Sequence, residues 1–156
     1  AGRYILALMT KAPIKLYYEV FPIIDNSGEK IGEVARPIVY LILNYKHGKM
    51  FGPMGAILDS GADYNLFPAE VADILGINLM KGEEKLNEGI GGKRVKTYRH
   101  TGIKMFVESY NFDTSIDFSK EISVPLLGKQ GFFDKFKTIT FARPTEELIL
   151  TPTQNT

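Results

Sequence analysis

Asp59-Ser60-Gly61-Ala62 follows directly on an apolar run, Gly55-Ala56-Ile57-Leu58. A buried strand that ends on one carboxylate and then turns on a glycine delivers an acid to the floor of a cleft. The chemistry open to such a group is general acid or general base work. The other Asp-Ser/Thr step, Asp113-Thr114, is followed by Ser115 where a glycine is required. The sequence therefore carries a single loop of this kind. Any reaction that needs two such carboxylates must take the second from another copy of the chain.

Asp-Ser-Gly also makes ordinary turns, so the context decides its weight. Exposed turns are flanked by polar residues, whereas here Ala56-Ile57-Leu58 precedes and Leu66-Phe67 follows. A carboxylate set between apolar segments is costly unless it is hydrogen-bonded or has a purpose. Gly61 lets backbone N–H groups approach that carboxylate without a side chain in the way.

Gly89-Ile90-Gly91-Gly92 lies between a polar run and a strand. Read as a phosphate-binding loop it fails twice, with Asn87 in the place of the first glycine and Arg94 where a Ser or Thr must hold magnesium. A dinucleotide fingerprint fails as well, because its third glycine falls on Arg94. The remaining reading is a glycine-rich hairpin with the composition of a lid. A third segment, Val124-Pro125-Leu126-Leu127-Gly128, reads as an apolar strand running into a turn.

The elements around these motifs are mostly strands. Ile14, Leu16, Tyr18 and Val20 alternate with Lys15, Tyr17 and Glu19 as one half-buried strand, and a second runs through Phe21 to Ile24 into the turn Asp25-Asn26-Ser27-Gly28. Further strands are expected at Pro37 to Tyr45, Val95 to His100, Ile103 to Val107, Ile122 to Leu127, and in a closing hairpin of Thr138 to Phe141 with Glu147 to Leu150. One helix is signalled, with Pro68 in its first turn, apolar Val71, Ala72, Ile74 and Leu75, and Gly76 as its C-terminal cap. Phe132 to Phe136 suits a short helical turn. The pattern predicts a closed or sandwich-like all-β domain with one or two short helices.

The chain has 156 residues and a net charge of +1, which fits one domain and gives no large field toward nucleic acid or anionic lipid. It contains no cysteine, so thiol chemistry, disulfides and cysteine-bound metals are excluded, and a cytoplasmic location is expected. Tyr4 to Met9 is too short an apolar stretch to cross a membrane. A start on Ala1 instead of Met is what a processed or trimmed product with sequence upstream would show. His47 and His100 have no ligand cluster at metal spacing and read as surface residues. Lys93, Arg94, Lys96, Arg99 and His100, with Tyr98 among them, read as the solvated face of a hairpin and not as a nucleic-acid surface.

The order ILDSGAD, then GIGG opening a strand, then PLLG before an aromatic turn resembles the retropepsins, the single-domain retroviral-type aspartic proteases. The resemblance covers Pro37 to Leu150 within a domain of residues 1–156, and leaves Ala1 to Arg36 as an extension: a pro-segment, a dimerisation arm or part of the barrel. It implies a closed acid-protease-type β-barrel and an endopeptidase without metal or cofactor. Asp59, Ser60 and Gly61 take the catalytic loop, with Ser60 bracing it against its mate across a homodimer. Ala62, Asp63, Ile90, Gly91 and Gly92 take substrate-binding places, the last three at a flap tip, and Tyr64 and the neighbourhood of Leu126 join the cleft. An extended peptide is the implied partner, and the alternative is a peptide-binding module on the same fold. Lys129 stands where the family often has an Arg that pairs with the residue matched by Asp63; Gln130 and an extra Gly131 are further departures.

Overall fold

The computed structural model describes residues 11–88 and 91–153. The chain divides into two compact units, Val39–Asp134 and a second drawn from Ala1–Ile38 with Lys135–Thr156. Ile90 and the Tyr4 to Met9 stretch lie outside the described residues.

The larger unit is a closed six-stranded β-barrel. Its strands are β4 (Ile38–Tyr45), β5 (Phe51–Leu58), β6 (Leu66–Pro68), β8 (Arg94–Val107), β9 (Tyr110–Ser119) and β10 (Leu126–Leu127). They run in the order β4-β5-β10-β6-β9-β8, and β4 pairs with β8 to close the ring. Strict alternation explains why β4 is a barrel strand: Val39, Leu41 and Leu43 are buried while Tyr40 points to solvent. The same side of the sheet buries Phe67, Ile103, Met105, Ile116, Phe118 and Leu127. β7 (Glu83–Glu88) hangs on the outer half of β8 as a hairpin, from Glu83 opposite Arg99 to Glu88 opposite Arg94.

One α-helix, α1 (Ala69–Ile74), follows β6 directly. It stops as its sequence dictates: Gly76 takes φ +72°, its N–H reaches the Asp73 carbonyl at 3.1 Å, and Ile77 N–H reaches Ala72 at 2.9 Å. Those two bonds make a Schellman cap. Val71, Ala72 and Leu75 are buried, but Ile74 is exposed.

In the smaller unit, β1 (Ile14–Tyr17) pairs with β12 (Glu147–Pro152), which pairs in turn with β11 (Phe136–Ala142), so the expected closing hairpin gains a third strand. β2 (Glu19–Ile24) and β3 (Lys30–Arg36) form a separate hairpin around the Asp25 turn. The single strand expected from Ile14 to Val20 is therefore two strands. The break falls at Tyr18, whose N–H is taken by the Glu146 carbonyl at 2.8 Å. Two other expectations change. Val95–His100 and Ile103–Val107 are one strand, β8, bent by a bulge at Gly102 (φ +71°). Of Ile122–Leu127, only Leu126 and Leu127 are strand.

Candidate active site

Asp59 is positioned by the strand beside it. β10 runs parallel to β5, with Leu126 opposite Ile57 and Leu127 opposite Leu58. The Asp59 N–H continues that ladder to the Leu127 carbonyl at 3.0 Å. The chain then turns at once. Ala62 N–H returns to the Asp59 carbonyl at 3.1 Å, and Gly61 N–H donates to Asp59 Oδ1 at 2.8 Å. The carboxylate thus caps its own turn and is half-buried, the compensation that an acid behind an apolar strand requires.

The segment after β10 passes across the exit of this turn. Lys129 N–H donates to the Ala62 carbonyl at 2.9 Å and Gln130 N–H to Asp63 at 2.8 Å. Between them the backbones almost touch, so that a Cβ on Gly128 would lie 2.4 Å from Tyr64 backbone atoms. This crossing gives the Leu126-Leu127-Gly128 element its glycine. Asn65, fully buried, clamps it: Oδ1 accepts the Gly128 N–H at 3.1 Å, and Nδ2 donates to Thr114 Oγ1 at 3.2 Å and the Ser115 carbonyl at 3.1 Å. Lys129 and Asp63 do form an ion pair, Nζ to Oδ1 at 2.9 Å, with both side chains largely exposed.

Asp59, Gly61, Ala62 and Asp63 open onto a pocket of about 330 Å³, completed by Tyr64, Leu66, Asn87, Glu88, Val95, Asp117 and Leu126. Ser60 is exposed and does not line it; nor do Gly91 and Gly92, which sit at the hairpin turn with φ +87° and +76°. Ile90 lies outside the described residues.

The sequence reading missed Asp117, Asn87 and Asn65. Asp117 is fully buried and is held by Arg99 with two hydrogen bonds and by Asn87 Nδ2 at 3.3 Å. Arg99 also stacks on Tyr64, 3.8 Å from the ring centroid. Its proton is held still more firmly than usual, chiefly through the bond to Asp117. Alternation along β8 held part of the signal: if Lys96 faces water, Thr97 and Arg99 face the other way, toward Asn87 and Asp117. Lys93, Arg94 and Lys96 are indeed solvated, but Arg99 is half-buried. His100 is no surface residue: it is buried, its edge toward Phe118, with Nε2–H donating to the Leu79 carbonyl at 3.0 Å. Among the described residues no cluster of His, Cys, Asp or Glu could hold a metal ion, and no helix is long and apolar enough to cross a membrane.

No protein-family model matches the chain, and no curated protein does. Solved structures do. A retropepsin-like aspartic protease from Rickettsia conorii superposes with a TM-score of 0.58 at 16% identity, over 90% of this chain and 99% of that one. The protease of EIAV, in complex with the inhibitor HBY-793, aligns at 22% identity with a TM-score of 0.46, over 60% of this chain and 82% of its own. The fold is that of the retropepsin-like aspartic proteases.

Proposed function

We propose that the chain is an aspartic endopeptidase whose catalytic pair is made of one Asp59 from each subunit of a homodimer. The observation that carries this reading is the placement of Asp59: a half-buried carboxylate at the end of a barrel strand, in a self-capped glycine turn, at the mouth of a pocket in a retropepsin-like fold. Peptide hydrolysis needs a water activated by a base and a proton delivered to the carbonyl oxygen or leaving amine. Two adjacent carboxyls supply both, because they cannot easily ionise together and share one proton. With one such loop per chain, the two-fold axis of the dimer has to pass between the two copies of Asp59.

Within that dimer Ser60 braces the paired loops, which fits its exposure in the single chain. Gly61 and Ala62 present backbone groups to the carboxyls and to an extended peptide, the β7–β8 hairpin covers that peptide as a flap, and Ile90, Gly91 and Gly92 make its contacts. The test compares wild type with Asp59→Asn on an unfolded protein substrate between about pH 4 and 7.5. The variant is expected to lose roughly a thousandfold in rate. The wild-type specific activity should fall on dilution as dimers separate. Equal cleavage by both proteins would remove Asp59 from the mechanism. Peptide binding without cleavage by a dimeric wild type would favour a binding module.

A further inference from the structure

Asp117 is fully buried, its charge is answered by Arg99, and it takes no part in the proposed chemistry. Its place in the barrel says what it holds. Across the β7–β8 hairpin Glu83 stands opposite Arg99, Lys85 opposite Thr97 and Asn87 opposite Val95, so these side chains share one face. Asp117 is the register partner of Arg99 on β9 and continues that face into the barrel. The β8–β9 ladder begins only at Tyr98, opposite Phe118. Asn87, Val95 and Thr97 therefore belong to a two-stranded ribbon that runs beyond the sheet. One nitrogen ties this ribbon back: Asn87 Nδ2 donates to Asp117 Oδ2 at 3.3 Å and to Thr97 Oγ1 at 2.9 Å. Lys96 N–H adds an exposed bond to Glu121 Oε1 at 3.2 Å. Asn87 and Val95 line the pocket from the ribbon and Asp117 lines it from β9, whereas Thr97 is fully buried and does not line it.

A two-stranded ribbon has little to fix its height beyond its own ladder, so a pocket wall carried on one stays loose unless a side chain ties it down. We infer that Thr97 is a positioning residue for the bound peptide. It holds the Asn87 amide turned toward Asp117, and so sets the ribbon's wall of the pocket against the barrel. That the pocket binds a peptide comes from the endopeptidase reading, on which the inference rests. Thr97 acts through Asn87 and serves binding, not the chemical step, because Asp59 is held separately by its own turn and by the Leu127 carbonyl.

The experiment compares Thr97→Val, which keeps the size and strand preference but removes the acceptor, with Thr97→Ser, which keeps the hydroxyl and removes the methyl. Cleavage of overlapping peptides spanning the unfolded substrate is followed for wild type and both variants. Binding of the same peptides is measured on Asp59→Asn, alone and with each change at Thr97. Thr97→Val should raise KM by about fivefold with kcat within about twofold of wild type, and should weaken binding by a similar factor. Thr97→Ser should stay near wild type. If Thr97 supplied packing alone, the order would reverse, with Thr97→Ser the worse of the two. Cleavage with that reversed order, with KM unmoved by Thr97→Val, or with a loss confined to kcat would overturn the positioning role and leave the protease standing. Binding that Thr97→Val weakens and Thr97→Ser does not, without cleavage by the wild type, would uphold the role and overturn the protease. Neither cleavage nor binding would overturn both.

Discussion

Arg99 and Asp117 face each other across β8 and β9 as register partners, and their side chains meet in two parallel bonds, Nε to Oδ1 at 2.6 Å and Nη2 to Oδ2 at 2.9 Å. The carboxylate is 1% exposed and the guanidinium 16%, so neither charge has water to fall back on. A buried pair of this geometry adds little net stability, but losing one member strands the other. Arg99→Met should therefore lower unfolding free energy by about 3 kcal/mol. Urea unfolding of both proteins checks this, and an unchanged midpoint would contradict it.

Asn65 is the joint of the site. Asn65→Leu removes the partners of the Gly128 N–H, the Ser115 carbonyl and the Thr114 hydroxyl together. Thr114 keeps its bond to the Gly131 carbonyl at 2.6 Å, so the stranded groups are chiefly the two on the backbone. A loss of about 2–4 kcal/mol is expected in chemical denaturation. Amide exchange at Gly128 should accelerate before global unfolding does.

Two glycines separate steric from conformational demand. Gly128→Ala drives a methyl into the Tyr64 backbone at 2.4 Å, a contact that no rotamer can relieve, and should destabilise by more than about 3 kcal/mol. A Cβ on Gly76 meets nothing within 4 Å, so Gly76→Ala carries only the left-handed backbone penalty of about 1 kcal/mol. Melting temperatures of the two variants should rank in that order.

The turn at Asp25 reports on pH. Its Oδ1 accepts from Ser27 Oγ at 2.6 Å, Ser27 N–H at 2.8 Å and Glu29 N–H at 2.9 Å, and these bonds, led by the Ser27 hydroxyl, hold the carboxyl below the usual carboxylate range. A depressed folded-state value means that the support is present above the ordinary carboxylate pKa and disappears as pH falls through the depressed one. The amide resonances of Ser27 and Glu29 should shift together in that acid window. In Asp25→Ala they should not titrate.

Much of this was legible in the sequence because the relevant signals are local. The cap at Gly76 depends on neighbours in the chain, as does the turn at Asp25, and strand β4 displays its alternation openly. β9 was not legible. In Tyr110–Ser119 the apolar face, Tyr110, Phe112, Ile116 and Phe118, is interleaved with Asn111, Asp113, Ser115 and Asp117, residues that read as loop chemistry. Asp117 and Asn65 were hidden for a related reason. Their value lies in partners 18 and 63 residues away, Arg99 and Gly128, which only the barrel brings near. The apolar run before Gly128 promised a longer strand than it delivers, since its role is to cross the loop at Tyr64, not to extend the ladder.

β7 stands at the end of its sheet, paired with β8 on one side alone. The other strands of that sheet each have a neighbour on both sides in the closed ring, so among the described residues β7 is the strand whose whole outer edge offers backbone donors and acceptors to a passing chain. Four of its six residues are charged: Glu83, Glu84, Lys85 and Glu88. Edge-to-edge stacking of such strands would set like charges side by side and strip them of water, a barrier against fibril growth. The charge on this strand thus guards solubility at that open margin, and neutralising it should first show as aggregation, with the fold itself intact.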